Sequence, residues 1–271
     1  MPEQPETILT TNSPPKKSLT LEPDWNVGAT VIIALVMIAY WPSIKGGFVW
    51  DDLILVAKNP LVTGASTLGN IWFKGDFSLS TVATWFEWLA FGKSPMGYRL
   101  VNLLLHITSA LMIWKILLRL EFHAAWLKAL IFALHPMCVA SVAWISELKN
   151  TLSLPLFLAS IYFYLKAESP AATAIQPAKK PAADYVFSIL CFVFALMAKT
   201  STVVLPALLL LLAWWRRGRI SKVDWFKTAP HFALAIIFGL MTVWFQMHQA
   251  IRAVVPQQET LFERVDRKSV V

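Results

Sequence analysis

Seven runs of apolar residues, at 27–44, 100–118, 124–145, 151–166, 182–198, 200–215 and 231–245, alternate with polar stretches along the 271-residue chain. Runs this apolar read as membrane helices. Several are shorter than the roughly 20 residues needed to cross about 30 Å of hydrocarbon, which blurs their ends more than their existence. Trp41, Trp50, Trp214 and Trp215 stand at run edges, where interfacial aromatics belong. The stretch 1–26 is polar and reads as a disordered tail rather than a signal peptide, because no small-x-small site follows the first run before Trp41-Pro42. The long loop 45–99 holds two aromatic-rich segments, 67–73 and 81–91, suited to short helices lying in the membrane interface. The Ala-, Pro- and Lys-rich segment 167–183 reads as a linker, and no internal repeat is found. The pattern therefore predicts an all-α polytopic membrane protein of about seven transmembrane helices, with interfacial helices in its first outer loop.

Composition agrees: 57% of residues are hydrophobic, 15% are charged and the mean hydropathy is +0.58. Soluble domains carry about 25% charged residues, so a disordered chain or an ordinary soluble enzyme is excluded. Cys138 and Cys191 fall inside apolar runs and read as reduced, buried thiols. The net charge of +8 is a matter of placement. One set of loops carries Lys16, Lys17, Lys115, Arg119, Lys128, Lys166, Lys179, Lys180, Arg216, Arg217, Arg219, Lys222 and Lys227. The opposite short loops have only Lys149 and Lys199, while 45–99 spreads Lys45, Lys58, Lys74, Lys93 and Arg99 among four acids. By the positive-inside rule the first set is cytoplasmic, as is the N-terminus, and the basic balance calls for no nucleic acid.

Three outer turns then carry the candidate chemistry. Asp51 and Asp52 follow the first run directly; adjacent carboxylates can share a proton or a metal, and the alternative is a helix cap with a first-turn acid. Arg99, Asn102 and His106 stand at i, i+3 and i+7 and so share a helix face, suited either to an anionic ligand or to a snorkelling Arg and a helix-bridging His. His135-Pro136 lies near the middle of the third run, as a functional intramembrane group or as a hydrogen-bonding partner beside a proline kink. Glu147, Lys149 and Lys199 occupy outer turns, where polar turns between helices are the plainer reading. No metal-ligand spacing, Gly-rich phosphate loop or Ser/His/Asp order is present.

These motifs carry a family resemblance. FVWDDLILVAKNPLV, GYRLVNLLLH, FALHPMCVASVAWISELKNTLS, LMAKTSTVVLP and WWRRGR occur in the order found in the transmembrane-and-tetratricopeptide-repeat O-mannosyltransferase-like proteins, of the GT-C class. The resemblance covers about residues 27–265, which it identifies as an incomplete GT-C-like membrane domain. It implies transfer of a sugar, mannose among the candidates, from a polyprenyl-phosphate carrier to an acceptor hydroxyl, such as a protein Ser or Thr, on the extracytoplasmic side. It matches the family's acidic motif to Asp51 and Asp52, the HP motif to His135 and Pro136, and the polar turn to 146–150. Cys138, Ala140, Leu148 and Asn150 replace His or Asn, Glu, Arg and Asp often found in relatives. In the resulting assignment Asp51 is the base and Asp52 orients it or binds a divalent cation. Arg99 and Lys199 offset phosphate charge, Glu147 positions acceptor or sugar, and Lys149, His106 and His135 complete the substrate-binding set. Inversion at the anomeric carbon is implied.

The final Asp266–Val271 segment (DRKSVV) matches one translated frame of a common sequencing adapter followed by a stop, so 266–271 read as an artefactual tail and the chain as truncated. The competing reading is a non-catalytic membrane anchor or scaffold for a tetratricopeptide domain. A secondary transporter would need ionisable residues along a midplane path, and only His106 and His135 lie at depth.

Overall fold

The computed structural model describes residues 22–64, 69, 71–72, 78–168 and 181–247. Most of the tail 1–26, much of the segment 67–73, Lys74, most of the linker 167–183 and the terminal 266–271 lie outside the described residues. Among the described residues all regular structure is helical. The elements are α1 (Trp25–Ile44), a π-turn (Leu53–Ala57), α2 (Pro60–Thr63), α3 (Ser78–Phe91), α4 (Pro95–Arg119), α5 (Ala125–Ala133), α6 (Val139–Ala143), α7 (Leu148–Glu168), α8 (Pro181–Ala198), α9 (Leu205–Arg217) and α10 (Lys222–Phe245). Each of the seven apolar runs is helical.

Among the described residues four of these helices, α1, α4, α8 and α10, are long and apolar enough to span a bilayer, and the bent α5–α6 segment, a broken span or a re-entrant loop, brings the number to four or five. The protein is thus an integral, multi-pass, all-α membrane protein. The remaining two runs fall short of that test for different reasons. The 13 residues of α9 reach only about 20 Å at 1.5 Å per residue. In α7, Asn150, Thr151, Ser153 and Ser160 interrupt the apolar surface.

Helix ends follow local chemistry. Asp24 caps α1 by accepting from Asn26 N at 2.9 Å. Pro95 starts α4 at a first-turn position, where its missing N–H costs nothing. The third run does not form one helix. Its two parts bend by 48°, because Pro136 cannot donate and forces His135 into an extended conformation (φ −67°, ψ 130°). Helix α10 begins at Lys222, nine residues before the apolar run, on a capping box in which Asp224 Oδ2 accepts from Ser221 N at 2.8 Å and Ser221 Oγ accepts from Asp224 N.

Two apolar clusters hold the bundle. The first joins α1, α4 and α5 through Ile32, Val36, Leu103, Ile107 and Trp114, with Ala125, Ala129 and Ala133 forming a fully buried small-residue face that permits close approach. The second joins α7, α8 and α9 through Leu158, Ile161, Phe192, Leu196, Leu205 and Leu209. There Ser160 and Ser188 exchange hydroxyl-to-carbonyl bonds of 2.8 and 2.9 Å, which satisfies both groups without water. Exposed Leu104, Ile131, Phe187, Ile236 and Leu240 face outward, as lipid contact requires.

The last residues of the stretch assigned to the tail are built into the bundle. Glu22 accepts from Trp114 Nε1 at 3.1 Å and from the backbone N–H of Ala125 and Trp126 at the start of α5, where a carboxylate offsets the helix dipole. The same corner sets a steric limit on α1. A Cβ on Gly28 would lie 2.5 Å from the Trp114 ring, 2.8 Å from Pro23 and 2.9 Å from the Trp126 ring. Gly28→Ala is therefore expected to destabilise the protein by about 1–3 kcal/mol through overpacking. Thermal unfolding in detergent followed by tryptophan fluorescence checks this; an unchanged Tm contradicts the packing.

Candidate functional site

Immediately after α1 the chain turns through Gly46 and Gly47 to the two aspartates, which part company. Asp52 is fully buried, and its carboxylate accepts from Val49 N at 3.1 Å and from Ser146 N at 2.8 Å. It therefore fastens the first outer turn to the turn that precedes α7. Asp51 is exposed. Trp50, in a left-handed conformation (φ 50°), packs edge-on to Trp144, whose Nε1 donates to Val49 O at 3.3 Å. These contacts fix the loop that presents Asp51.

Arg99, Asn102 and His106 do share one face of α4, and each reaches a backbone carbonyl. Arg99 Nε donates to Ala143 O at 3.0 Å, and its terminal nitrogens donate to Gly46 O and Gly47 O. A Cβ on Gly46 would come 3.2 Å from the guanidinium, so this approach favours glycine. Asn102 Nδ2 donates to Trp144 O at 3.0 Å, while its Oδ1 accepts from Thr151 at 2.6 Å. His106 Nε2 lies 2.9 Å from Ala133 O. In this structure Arg99 commits its donors to carbonyls, leaving its charge to act on an anion. His106 bridges helices.

The outer turns also meet. Glu147 pairs with Lys149 at 3.6 Å and accepts from the Asn150 amide, and the Asn150 carbonyl oxygen accepts from Lys199. Asn150, read from sequence as the replacement of an acid, is the link between anion and cation. Glu147, Lys149 and Lys199 thus belong to one chain of contacts running through Asn150, and Asp52 holds the backbone of Ser146, the residue before Glu147. His135 stands apart: its exposed ring caps the short turn at Pro136, accepting from Met137 N at 3.2 Å. A cavity of about 140 Å³ runs from His106 and Ser109 past Phe132 and Cys138 to Asn150 and Thr151, joining membrane depth to the outer network. Cys138 and Cys191 are both free thiols, each partly rather than fully buried.

The chain is 28% identical over 156 residues to a Caenorhabditis elegans protein O-mannosyl-transferase, F38B6.6, covering 50% of this chain and 22% of that one. It is 27% identical over 157 residues to mouse protein O-mannosyl-transferase TMTC3 (52% and 17%) and 29% identical over 180 residues to human protein O-mannosyl-transferase TMTC4 (55% and 24%). The chain is a homologue of the TMTC protein O-mannosyl-transferases. It spans about a fifth of the length of these curated TMTC relatives. No family model matches it, and no solved structure does.

Of the four positions that the sequence resemblance singles out as replacements, Cys138 and Asn150 line the cavity, Leu148 is buried and Ala140 is exposed. One acid escaped notice in sequence, where Glu87 counts only as one of four in the outer loop. Ser80, Thr84 and Glu87 fall on one face of α3, and that face turns inward: Ser80 Oγ donates to Ala198 O at 2.8 Å, and Glu87 is 7% exposed with neither carboxyl oxygen hydrogen-bonded. The apolar Phe86 and Leu89 face outward instead. Burial raises the Glu87 carboxyl to about 8. A raised folded-state value means stability is full below the ordinary carboxylate range and is lost as pH rises toward 8. The wild type should lose on the order of a few kcal/mol between about pH 4.5 and 8 that Glu87→Gln does not lose. Unfolding midpoints across that range test this, and equal slopes for the two proteins would contradict it.

Proposed function

We propose that the chain is the membrane portion of a glycosyltransferase of the GT-C class that moves a sugar, mannose by analogy with the names of its relatives, from a polyprenyl-phosphate carrier to a protein hydroxyl on the extracytoplasmic side. The observation that carries the reading is the split between the two aspartates: Asp52 is locked to Val49 and Ser146, while Asp51 is exposed beside an outer network bearing Glu147, Lys149 and Lys199. A polyprenyl phosphate is already a fair leaving group. The protein has to take the acceptor's proton, steady the departing phosphate and hold both reactants in line.

In this mechanism the acceptor oxygen attacks the anomeric carbon as the bond to the phosphate oxygen breaks, with inversion, and the acceptor proton passes to Asp51. Lys199 and Lys149, with the charge of Arg99, stabilise the phosphate, and Glu147 orients a sugar or acceptor hydroxyl. The expected divalent cation gains no support from the donor set, since no three His, Cys, Asp or Glu side chains converge among the described residues. The basic helix ends then face the cytoplasm.

The scaffold reading draws on a specific observation as well: Asp52, Arg99 and His106 each serve backbone groups. One experiment separates the two. Membranes containing the protein are given a mannosyl polyprenyl phosphate and a Ser/Thr acceptor peptide. Asp51→Asn should lower transfer at least about a hundredfold with insertion unchanged. No transfer by the wild type favours the scaffold, and transfer that Asp51→Asn keeps in full removes Asp51 from the base role.

A further inference from the structure

At the basic end of the bundle, away from the site above, four helix ends meet around one carboxylate. Glu168 closes α7, and its side chain is only 6% exposed. Arg216 and Arg217, at the end of α9, approach it at 4.0 and 3.8 Å, and Lys227 of α10 at 3.9 Å. All three exceed hydrogen-bond length, and Glu168 Oε1 has no hydrogen-bond partner. Beside it lies a cavity of about 280 Å³ lined by Tyr164, Glu168, Pro181, Tyr185 and Lys227 among others. The Tyr164 hydroxyl is likewise buried without a partner, whereas the Tyr185 hydroxyl donates to Lys227 O at 2.7 Å.

Buried polar groups are normally hydrogen-bonded, so a lined cavity with a carboxylate oxygen that is ion-paired at 3.8–3.9 Å but accepts no hydrogen bond calls for a ligand that donates one. The surrounding charge calls for an anion as well. Arg217 is paired with Asp224, and Lys166 with Asp184 at 2.7 Å, which among the described residues leaves Arg216 and Lys227 against Glu168 alone. Two helices that line the cavity also carry exposed apolar side chains: Val186 and Phe187 on α8 and Trp225 and Phe226 on α10 are all more than half exposed. A negative centre, a hydrogen-bond donor and an apolar body at the end of a membrane bundle describe a phospholipid.

We propose that this cavity binds the headgroup of a phospholipid of the adjoining leaflet, with its phosphate beside Lys227 and Arg216 and its terminal hydroxyl or ammonium donating to Glu168 Oε1. Phosphatidylglycerol and phosphatidylethanolamine satisfy both requirements. Phosphatidylcholine has the phosphate but no N–H or O–H at its terminus.

Native mass spectrometry of the purified full chain in detergent, titrated with each of the three lipids at matched acyl length, tests the site. Phosphatidylglycerol and phosphatidylethanolamine are expected to be retained at least about fivefold better than phosphatidylcholine, a difference the wild type alone reports. Lys227→Gln should reduce retention of both preferred lipids, and Glu168→Ala should abolish the preference over phosphatidylcholine. Equal retention of the three lipids by the wild type, or unchanged retention by Lys227→Gln, overturns the proposal. So does displacement of lipid by millimolar inorganic phosphate, which would make this a site for a free anion.

Discussion

A helix broken inside a bilayer leaves carbonyls that water cannot reach, and the arrangement of this protein's outer half follows from how those carbonyls are satisfied. The third apolar run breaks at His135-Pro136 and again at Trp144. Ala133 O, Ala143 O and Trp144 O come from residues bordering those breaks, and the three polar residues on one face of α4 reach them in register: His106, Arg99 and Asn102. Arg99 extends the same service to Gly46 and Gly47, which brings the loop carrying the aspartates against the broken helix. Asp52 closes the circuit by holding Ser146 N. The polar groups that look most like ligands in the sequence are therefore also those that make a non-helical backbone tolerable at that depth.

Polar contacts at the two ends of the bundle do different work. At the outer end Thr200 to Thr242 at 2.7 Å and Lys199 to Asn150 join side chains that remain partly accessible, while Ser80 is buried against Ala198 O. At the basic end Glu22 caps α5, and Glu168 gathers the cations of α9 and α10. Between the ends the helices meet mainly through apolar side chains, with a few buried polar pairs such as Ser160 with Ser188 and His106 with Ala133 O. A bundle organised in this way concentrates its charged groups at its ends, the levels that lie outside hydrocarbon.

Much of the fold was legible because membrane helices announce themselves by uninterrupted apolar length, and α1 begins within two residues of the pattern's boundary. The shared face of Arg99, Asn102 and His106 was equally legible, since it depends only on helical spacing. What those side chains touch was not, because the carbonyls come from residues 27 to 53 positions away in the chain. The start of α10 was obscured because a polar capping box and Asp224 precede its apolar part. Glu87 was hidden for a related reason. The spacing of Ser80, Thr84 and Glu87 was visible, but an interfacial helix ordinarily turns its charged face to water, and the inward turn of this one depends on its neighbours.

The two adjacent aspartates show why geometry has to precede any reading of mutations here. Removing the Asp52 carboxylate would leave the N–H groups of Val49 and Ser146 without their acceptor, each at a cost of about 1–3 kcal/mol. Loss of activity in such a variant would follow from a displaced loop whether or not Asp52 takes part in chemistry. Arg99 and His106 are subject to the same ambiguity, since each supports backbone at the helix break. Asp51 is not among these supports: it is exposed on the turn that its neighbours hold in place. A substitution there alters the chemistry presented at the outer face while the clamp of Asp52 and Arg99 stays whole, and this makes Asp51 the position from which catalysis can be distinguished from architecture.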